Sequence, residues 1–170
     1  MTEPNRVTRA MRRAERLVVD SETIATILDQ CVVLFLAFHD ETAPYVVPLF
    51  FGHEPGRLFV HCAATGTKLD LLRVDPRVGF SAATAAAIVE GKAACDFTTR
   101  AQSVAGTGIA RIVETEDEKK HGLDLIMRHY AAGRAGQVSW IYQPVTLART
   151  VLIAVEIQSM TGKRIGAVAP

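Results

Sequence analysis

Tyr45-Val-Val-Pro-Leu-Phe-Phe-Gly-His-Glu-Pro-Gly-Arg-Leu-Phe-Val-His-Cys-Ala63, continued by Ala64-Thr-Gly-Thr-Lys-Leu-Asp-Leu-Leu-Arg73, decides how the chain folds. Two β-branched and aromatic runs, Tyr45 to Phe51 and Arg57 to Ala63, flank His53-Glu54-Pro55-Gly56. The Pro and Gly of that link preset a chain reversal, so the runs read as a hairpin. Next, Thr65-Gly66-Thr67-Lys68 opens directly into a helical pattern from Leu69 to Arg73. A helix start carries free backbone N–H groups, and here two hydroxyls and an ammonium join them. That corner suits an anionic ligand.

Working outward, Ser21 to Ile24 offers an Asp/Ser cap, and Ile24, Ile27 and Leu28 recur at helical spacing, which predicts a short amphipathic helix over Glu22–Gln30. Cys31 to Phe38 is continuously apolar and reads as a strand buried on both faces, turned back through His39-Asp40-Glu41-Thr42 into the Tyr45 strand. Arg77 to Ala82 is a further strand after Asp75-Pro76. The alanine-rich segment from Ala82 to Lys92 fits either a loop or a marginal helix. A strand is expected over Ser103–Val113, where Gly106 and Gly108 fit a barrel bend or the close approach of a ligand. Leu123, Ile126, Met127 and Tyr130 predict a helix over Asp117–Ala132, with acidic residues at its positive end. A flexible loop is expected over Ala131–Gln137, and Val151 to Ile157 closes the sheet. The organisation expected is a basic arm over 1–15, one domain over 16–165 and a tail over 166–170, folded as a mainly β, partly closed antiparallel barrel with flanking helices.

Composition narrows the function. The 170 residues carry 19 Lys plus Arg against 18 Asp plus Glu, a formal charge of +1, so no chain-wide field favours nucleic acid or an anionic membrane. The basic N-terminal residues Arg6, Arg9, Arg12, Arg13 and Arg16 read as a solvated leader, with contact to RNA as the alternative. Cys31, Cys62 and Cys95 are widely spaced, without a CxxC pair, which argues against a disulfide scaffold or a zinc site. The first residues are polar and charged rather than signal-like, and the longest apolar run is too short to cross a bilayer, so a reducing cytoplasm is the simplest compartment. His121 and His129 lie two turns apart on one helix, too far for a shared metal without another ligand, and are expected to face solvent. No GxSxG elbow supports hydrolase chemistry.

Tyr45-Val-Val-Pro-Leu, Phe59-Val-His-Cys-Ala, Gly66-Thr-Lys-Leu-Asp-Leu-Leu-Arg, Asp75-Pro-Arg-Val and Met160-Thr-Gly-Lys-Arg together resemble the pyridoxamine 5'-phosphate oxidase-like FMN-binding split barrels, and within them the nitroimidazole-resistance, or Nim-like, branch. The likeness runs from about Met11 to Arg164. It implies an antiparallel split β-barrel that binds FMN in a groove between the protomers of a homodimer. It also implies an oxidoreductase passing electrons from a reduced nicotinamide to a small oxidised acceptor, with a nitroaromatic ring as the Nim-like case.

Under that resemblance Thr67 and Lys68 hold the flavin phosphate and Arg100 joins them. Pro48, Leu49, Phe50, His61, Cys62 and Ala63 edge the isoalloxazine ring from two adjacent strands. Ser103 and Trp140 approach from the partner. Read alone, Lys68 fits the solvent face of its helix equally well. His61 is the catalytic candidate, by hydrogen bonding to flavin or substrate or by proton delivery, whereas a lone histidine in a strand is otherwise a structural residue. Cys62 points to the other face and reads as packing. Asp96 to Arg100, with Ala101 and Gln102, depart from the aromatic or basic residues of the family. Pyridoxamine phosphate itself is disfavoured as substrate, because no Arg, His and Tyr cluster near the C-terminus would hold a second phosphate. The alternative of another class is a carrier or sensor that binds flavin, or haem with His61 as axial ligand.

Overall fold

In the computed structural model, residues 11–131 and 140–166 are described. The described residues form nine strands: β1 Leu17–Val18, β2 Leu34–Phe38, β3 Tyr45–Leu49, β4 Phe51–Glu54, β5 Arg57–Cys62, β6 Arg77–Ala83, β7 Ala87–Val89, β8 Thr98–Ile112 and β9 Val151–Ile165. Four α-helices accompany them, α1 Ser21–Asp29, α2 Thr67–Val74, α3 Glu116–Tyr130 and α4 Pro144–Arg149. All ladders are antiparallel and run in the order β3-β2-β6-β8-β9-β5-β4, with β1 added to β9 and β7 to β8.

The interior is filled by alternate residues of these strands. Leu34, Leu36 and Phe38 of β2, Leu58 and Val60 of β5, and Ile153 and Val155 of β9 are buried, and α1 lays Ile24, Ile27 and Leu28 on the same core. Each such side chain contributes about 1.5–3 kcal/mol relative to exposure. Asp20 caps α1 by accepting from the Thr23 N–H at 2.7 Å, as the predicted cap requires. A second cluster of Phe59, Leu152, Ala154 and Val113 lies under Ile126 of α3. Two glycines let that helix approach. A Cβ on Gly52 would stand 2.5 Å from the Ile126 nitrogen, and one on Gly122 would strike Leu152 and come within 2.6 Å of the Phe59 ring.

Several expectations change. β2 is not buried on both faces: Phe35 is 48% exposed, because among the described residues no helix covers the outer side of β2 and only its inner side packs. The Tyr45–Phe51 run is broken at Phe50, so β3 pairs with β2 while β4 forms the hairpin with β5. The Ala82–Lys92 segment is neither loop throughout nor helix, since Ala87–Val89 pairs with Thr98–Arg100. Gly106 and Gly108 serve barrel geometry. A side chain at Gly106 would collide with Phe80 and the Ser159 carbonyl, and the β8–β9 register shifts between Thr107 and Gly108. The expected Ala131–Gln137 loop lies outside the described residues apart from Ala131.

Candidate functional site

The β4–β5 ladder runs from Glu54 opposite Arg57 to Phe51 opposite Val60 and stops there. Its next rung would pair Phe50 with His61, then Leu49 with Cys62 and Pro48 with Ala63. Instead β3 turns away to pair with β2, with Pro48 opposite Phe35. The sheet therefore forks, and the predicted residues Pro48, Leu49 and Phe50 stand on one arm while His61, Cys62 and Ala63 stand on the other. An edge of unpaired backbone N–H and C=O groups faces into such a fork. β3 is an edge strand, where a proline costs no ladder bond with a further neighbour.

Tyr130 holds the root of the fork. Its hydroxyl accepts from the Phe51 N–H at 3.0 Å and donates to the Val32 carbonyl at 2.8 Å, and its ring meets Phe50 edge to face at 5.0 Å. Burial raises its pKa, which keeps the hydroxyl a donor. Sequence reasoning placed Tyr130 only on the apolar side of its helix. No signal in the local pattern reveals that it reaches a strand 79 positions earlier.

Beyond the His61 arm the chain passes through exposed Ala63, Ala64 and Thr65 to Gly66. Gly66 has φ +130°, a conformation that favours glycine, and open space where a side chain would stand. It occupies the cap position of α2 and has no side chain to cap with, and among the described residues no side chain satisfies the first N–H groups of the helix. Its carbonyl takes the Leu69 N–H at 2.9 Å, and buried Leu69 and Leu72 anchor the helix to the core. Thr67 is exposed and Lys68 half-buried. Lys68 enters no ion pair among the described residues. Burial pushes the Cys62 thiol up, partly opposed by the Lys68 charge, which ties the ammonium to the end of β5. Cys62 also packs against the core, as its strand parity predicts. The arrangement joins an uncapped helix start, a free ammonium and a hydroxyl beside the open end of a fork; it can receive a phosphate at one end and a planar ring at the other.

The remaining predicted residues are not brought to this fork within one protomer. Exposed Arg100 and half-buried Ser103 lie on β8, where Ser103 is opposite Ala83 and Lys163. β9 separates them from β5, and β6 and β2 separate them from β3. Trp140 is half-buried and lies outside the helices and strands, ahead of α4, where Tyr142 donates to Asp124 at 2.7 Å. Of the two helix histidines expected to face solvent, His121 keeps a 42% exposed side chain with Nε2 2.9 Å from Glu54, whereas His129 is half-buried and its Nε2 donates to the Cys31 carbonyl at 2.8 Å.

The family model described as pyridoxamine 5'-phosphate oxidase matches residues 20–164. The chain belongs to that family. No curated protein matches it at a significant level. Among solved structures, it is similar to a candidate 5-nitroimidazole antibiotic resistance protein of Bacteroides thetaiotaomicron, with 28% identity, a TM-score of 0.76, and coverage of 88% of this chain and 87% of that one. A flavocytochrome of Azotobacter vinelandii shares the fold at 20% identity and TM-score 0.78, covering 96% of this chain and 74% of that one. So does an FAD- and haem-binding protein of Mycobacterium smegmatis, at 18% identity and TM-score 0.78, covering 91% and 76%. The expected split-barrel architecture thus holds for this pyridoxamine 5'-phosphate oxidase family member. Among the described residues no helix is long and apolar enough to cross a membrane.

Proposed function

We propose that this protein is an FMN-dependent oxidoreductase that takes electrons from a reduced nicotinamide and passes them to a small oxidised acceptor, a nitroaromatic ring being the favoured class. The observation that carries the reading is the fork: the β4–β5 ladder ends at Phe51 and Val60, and its arms carry Pro48 to Phe50 and His61 to Ala63 beside the uncapped start of α2. Bound there, FMN supplies the hydride and electron chemistry. The chain's part is to hold and orient it. Lys68, the Thr67 hydroxyl and the first N–H groups of α2 bind the phosphate, and the exposed backbone edges of the arms meet the polar rim of the ring. Exposed His61 stands where it can bond to the acceptor or deliver a proton to it.

A homodimer completes the site. Paired residues on neighbouring strands share a face, and the row Pro48, Phe35, Ser81, Ala105, Thr161 crosses five strands with every member exposed. Small and apolar side chains make this outer face flat enough for a second sheet to lie on it. Pro48 belongs both to the row and to the fork, so a partner seated on the row borders the flavin groove. Ser103 and Arg100, which one protomer keeps from its own fork, then come from the partner.

The deciding experiment is anaerobic. The FMN-loaded protein is mixed with NADH or NADPH and followed by flavin absorbance, then with a 5-nitroimidazole. Bleaching followed by recovery stoichiometric with the acceptor supports the enzyme. Full conversion of the nitro group to the amine takes three hydride equivalents with three protons and releases two waters. The exposed His61 imidazole favours one second reading, a haem- and flavin-binding module with His61 as axial ligand, a reading supported by the flavocytochrome and the FAD- and haem-binding protein that share the fold. A Soret band lost in His61→Ala, without turnover, is its signature.

A further inference from the structure

We propose that Asp29, His53 and His129 form a binding site for a divalent transition-metal ion of the zinc class, separate from the fork residues. Their ligand atoms all lie within 4.8 Å of one another. The three come from distant parts of the chain: Asp29 ends α1, His53 is in β4 and His129 is in the last turn of α3. Two imidazoles and one carboxylate are a donor set that zinc, cobalt and iron(II) share, with the remaining positions left to water. A tetrahedral shell with bonds of about 2.0–2.2 Å sets its ligand atoms roughly 3.4 Å apart. The observed cluster meets that spacing with side-chain shifts of about 1 Å or slightly more.

Three features favour a cation there. First, His53 Nε2 and Asp29 Oδ1 are already 2.8 Å apart, so a ring nitrogen and a carboxylate oxygen converge before any ion arrives. Second, the rings are positioned in advance. The His129 N–H to the Cys31 carbonyl, at 2.8 Å, is the type of outer bond that fixes metal-bound histidines, and the Phe51 and Tyr130 rings each lie 4.6 Å from this imidazole. Third, the site sits where two helices end. α1 has no basic residue in its last turn, and Asp29 has no Lys or Arg partner among the described residues, so the negative end of that helix and the carboxylate are uncompensated. The Asp29 side chain is 67% exposed and that of His53 only 13%, which leaves an entry from solvent above a largely desolvated ligand.

The test uses the full-length chain freed of metal by a chelator and dialysis, titrated with Co²⁺ alone and read by visible ligand-field absorption and stoichiometry. One Co²⁺ per chain is expected, displaced by Zn²⁺. His53→Ala and His129→Gln should each weaken it at least about 100-fold, beyond the roughly 10–100-fold that loss of an outer-shell partner costs. The glutamine keeps an N–H for the Cys31 carbonyl, so the helix end stays bonded. His39→Ala, at an exposed histidine outside the cluster, should leave the titration unchanged. Absence of ligand-field bands at about 1 mM Co²⁺, or bands that survive both histidine substitutions in folded protein, overturns the site.

Discussion

Replacing Lys68 by alanine removes the ammonium carried by the first turn of α2 while leaving its backbone donors in place. The size of the loss follows from what surrounds it. Lys68 is half-buried and pairs with no carboxylate among the described residues, so its charge is free for a ligand and only partly screened. A hydrogen bond to a charged group is worth about 1.5–3 kcal/mol, roughly ten- to a hundredfold in Kd at about 1.4 kcal/mol per decade. The N–H groups and Thr67 that remain keep the effect from reaching the loss of the whole phosphate. The assay is quenching of flavin fluorescence on titration of apoprotein with FMN and, in parallel, with riboflavin. Lys68→Ala should weaken FMN by that factor and riboflavin by no more than about twofold, with the FMN difference shrinking as salt is raised. Equal effects on both flavins, or none on either, would refute the phosphate assignment.

Other outcomes follow from the same geometry. His61→Ala should retain bound flavin while slowing reoxidation by the nitro acceptor, and an unchanged steady-state rate removes His61 from the chemistry. Ser81→Arg, in the middle of the exposed row on the outer sheet face, should convert dimer to monomer by light scattering and lower flavin affinity with it; a monomer that keeps its flavin contradicts the shared groove. Gly52→Ala forces a methyl to within 2.5 Å of the α3 backbone and should cost at least about 1–3 kcal/mol in denaturant unfolding. The Arg77 guanidinium, 2.6 Å from Asp75, holds that carboxyl down at about 2. Because the folded pKa lies below the ordinary 3.8, this stabilisation is present above about pH 4 and lost as pH falls through about 2. Asp75→Asn should therefore cost on the order of 1 kcal/mol at neutral pH, after allowance for the exposed partner, and progressively less between pH 4 and 2.

Much of the barrel was legible because its local patterns agree with its tertiary packing. The Arg57–Cys62 strand, the Asp20-capped α1 and the amphipathic α3 each follow from periodicity and capping within one or two residues of the observed ends. The break at Phe50 was not legible, since Tyr45 to Phe51 is uniformly β-forming. There β3 leaves for β2, and Tyr130, bonded to the Phe51 N–H, is remote in sequence. Nor could the apolar run through Phe35 reveal an open face, because a doubly buried strand and an apolar surface awaiting a partner read alike. Helical spacing gave the positions of His121 and His129 but not their partners, Glu54 and the Cys31 carbonyl, which arrive by tertiary contact. α4, six residues opened by Pro144, is too short for periodicity to declare it.

Within the site, the helix start after Gly66 was readable from its residues, because a glycine there leaves the first N–H groups of α2 without a capping side chain, whereas Lys68 taken alone fitted the solvent face of its helix equally well. That Pro48 to Phe50 and His61 to Ala63 form two arms of one fork, with Arg100 and Ser103 strands away, needed the register.

The most direct test of the account is the visible spectrum of the freshly purified protein, with the chromophore released by denaturation and identified by mass. The account predicts a flavin spectrum and FMN near one per protomer. A colourless protein that also fails to take up added FMN, or a Soret band without flavin, would contradict it.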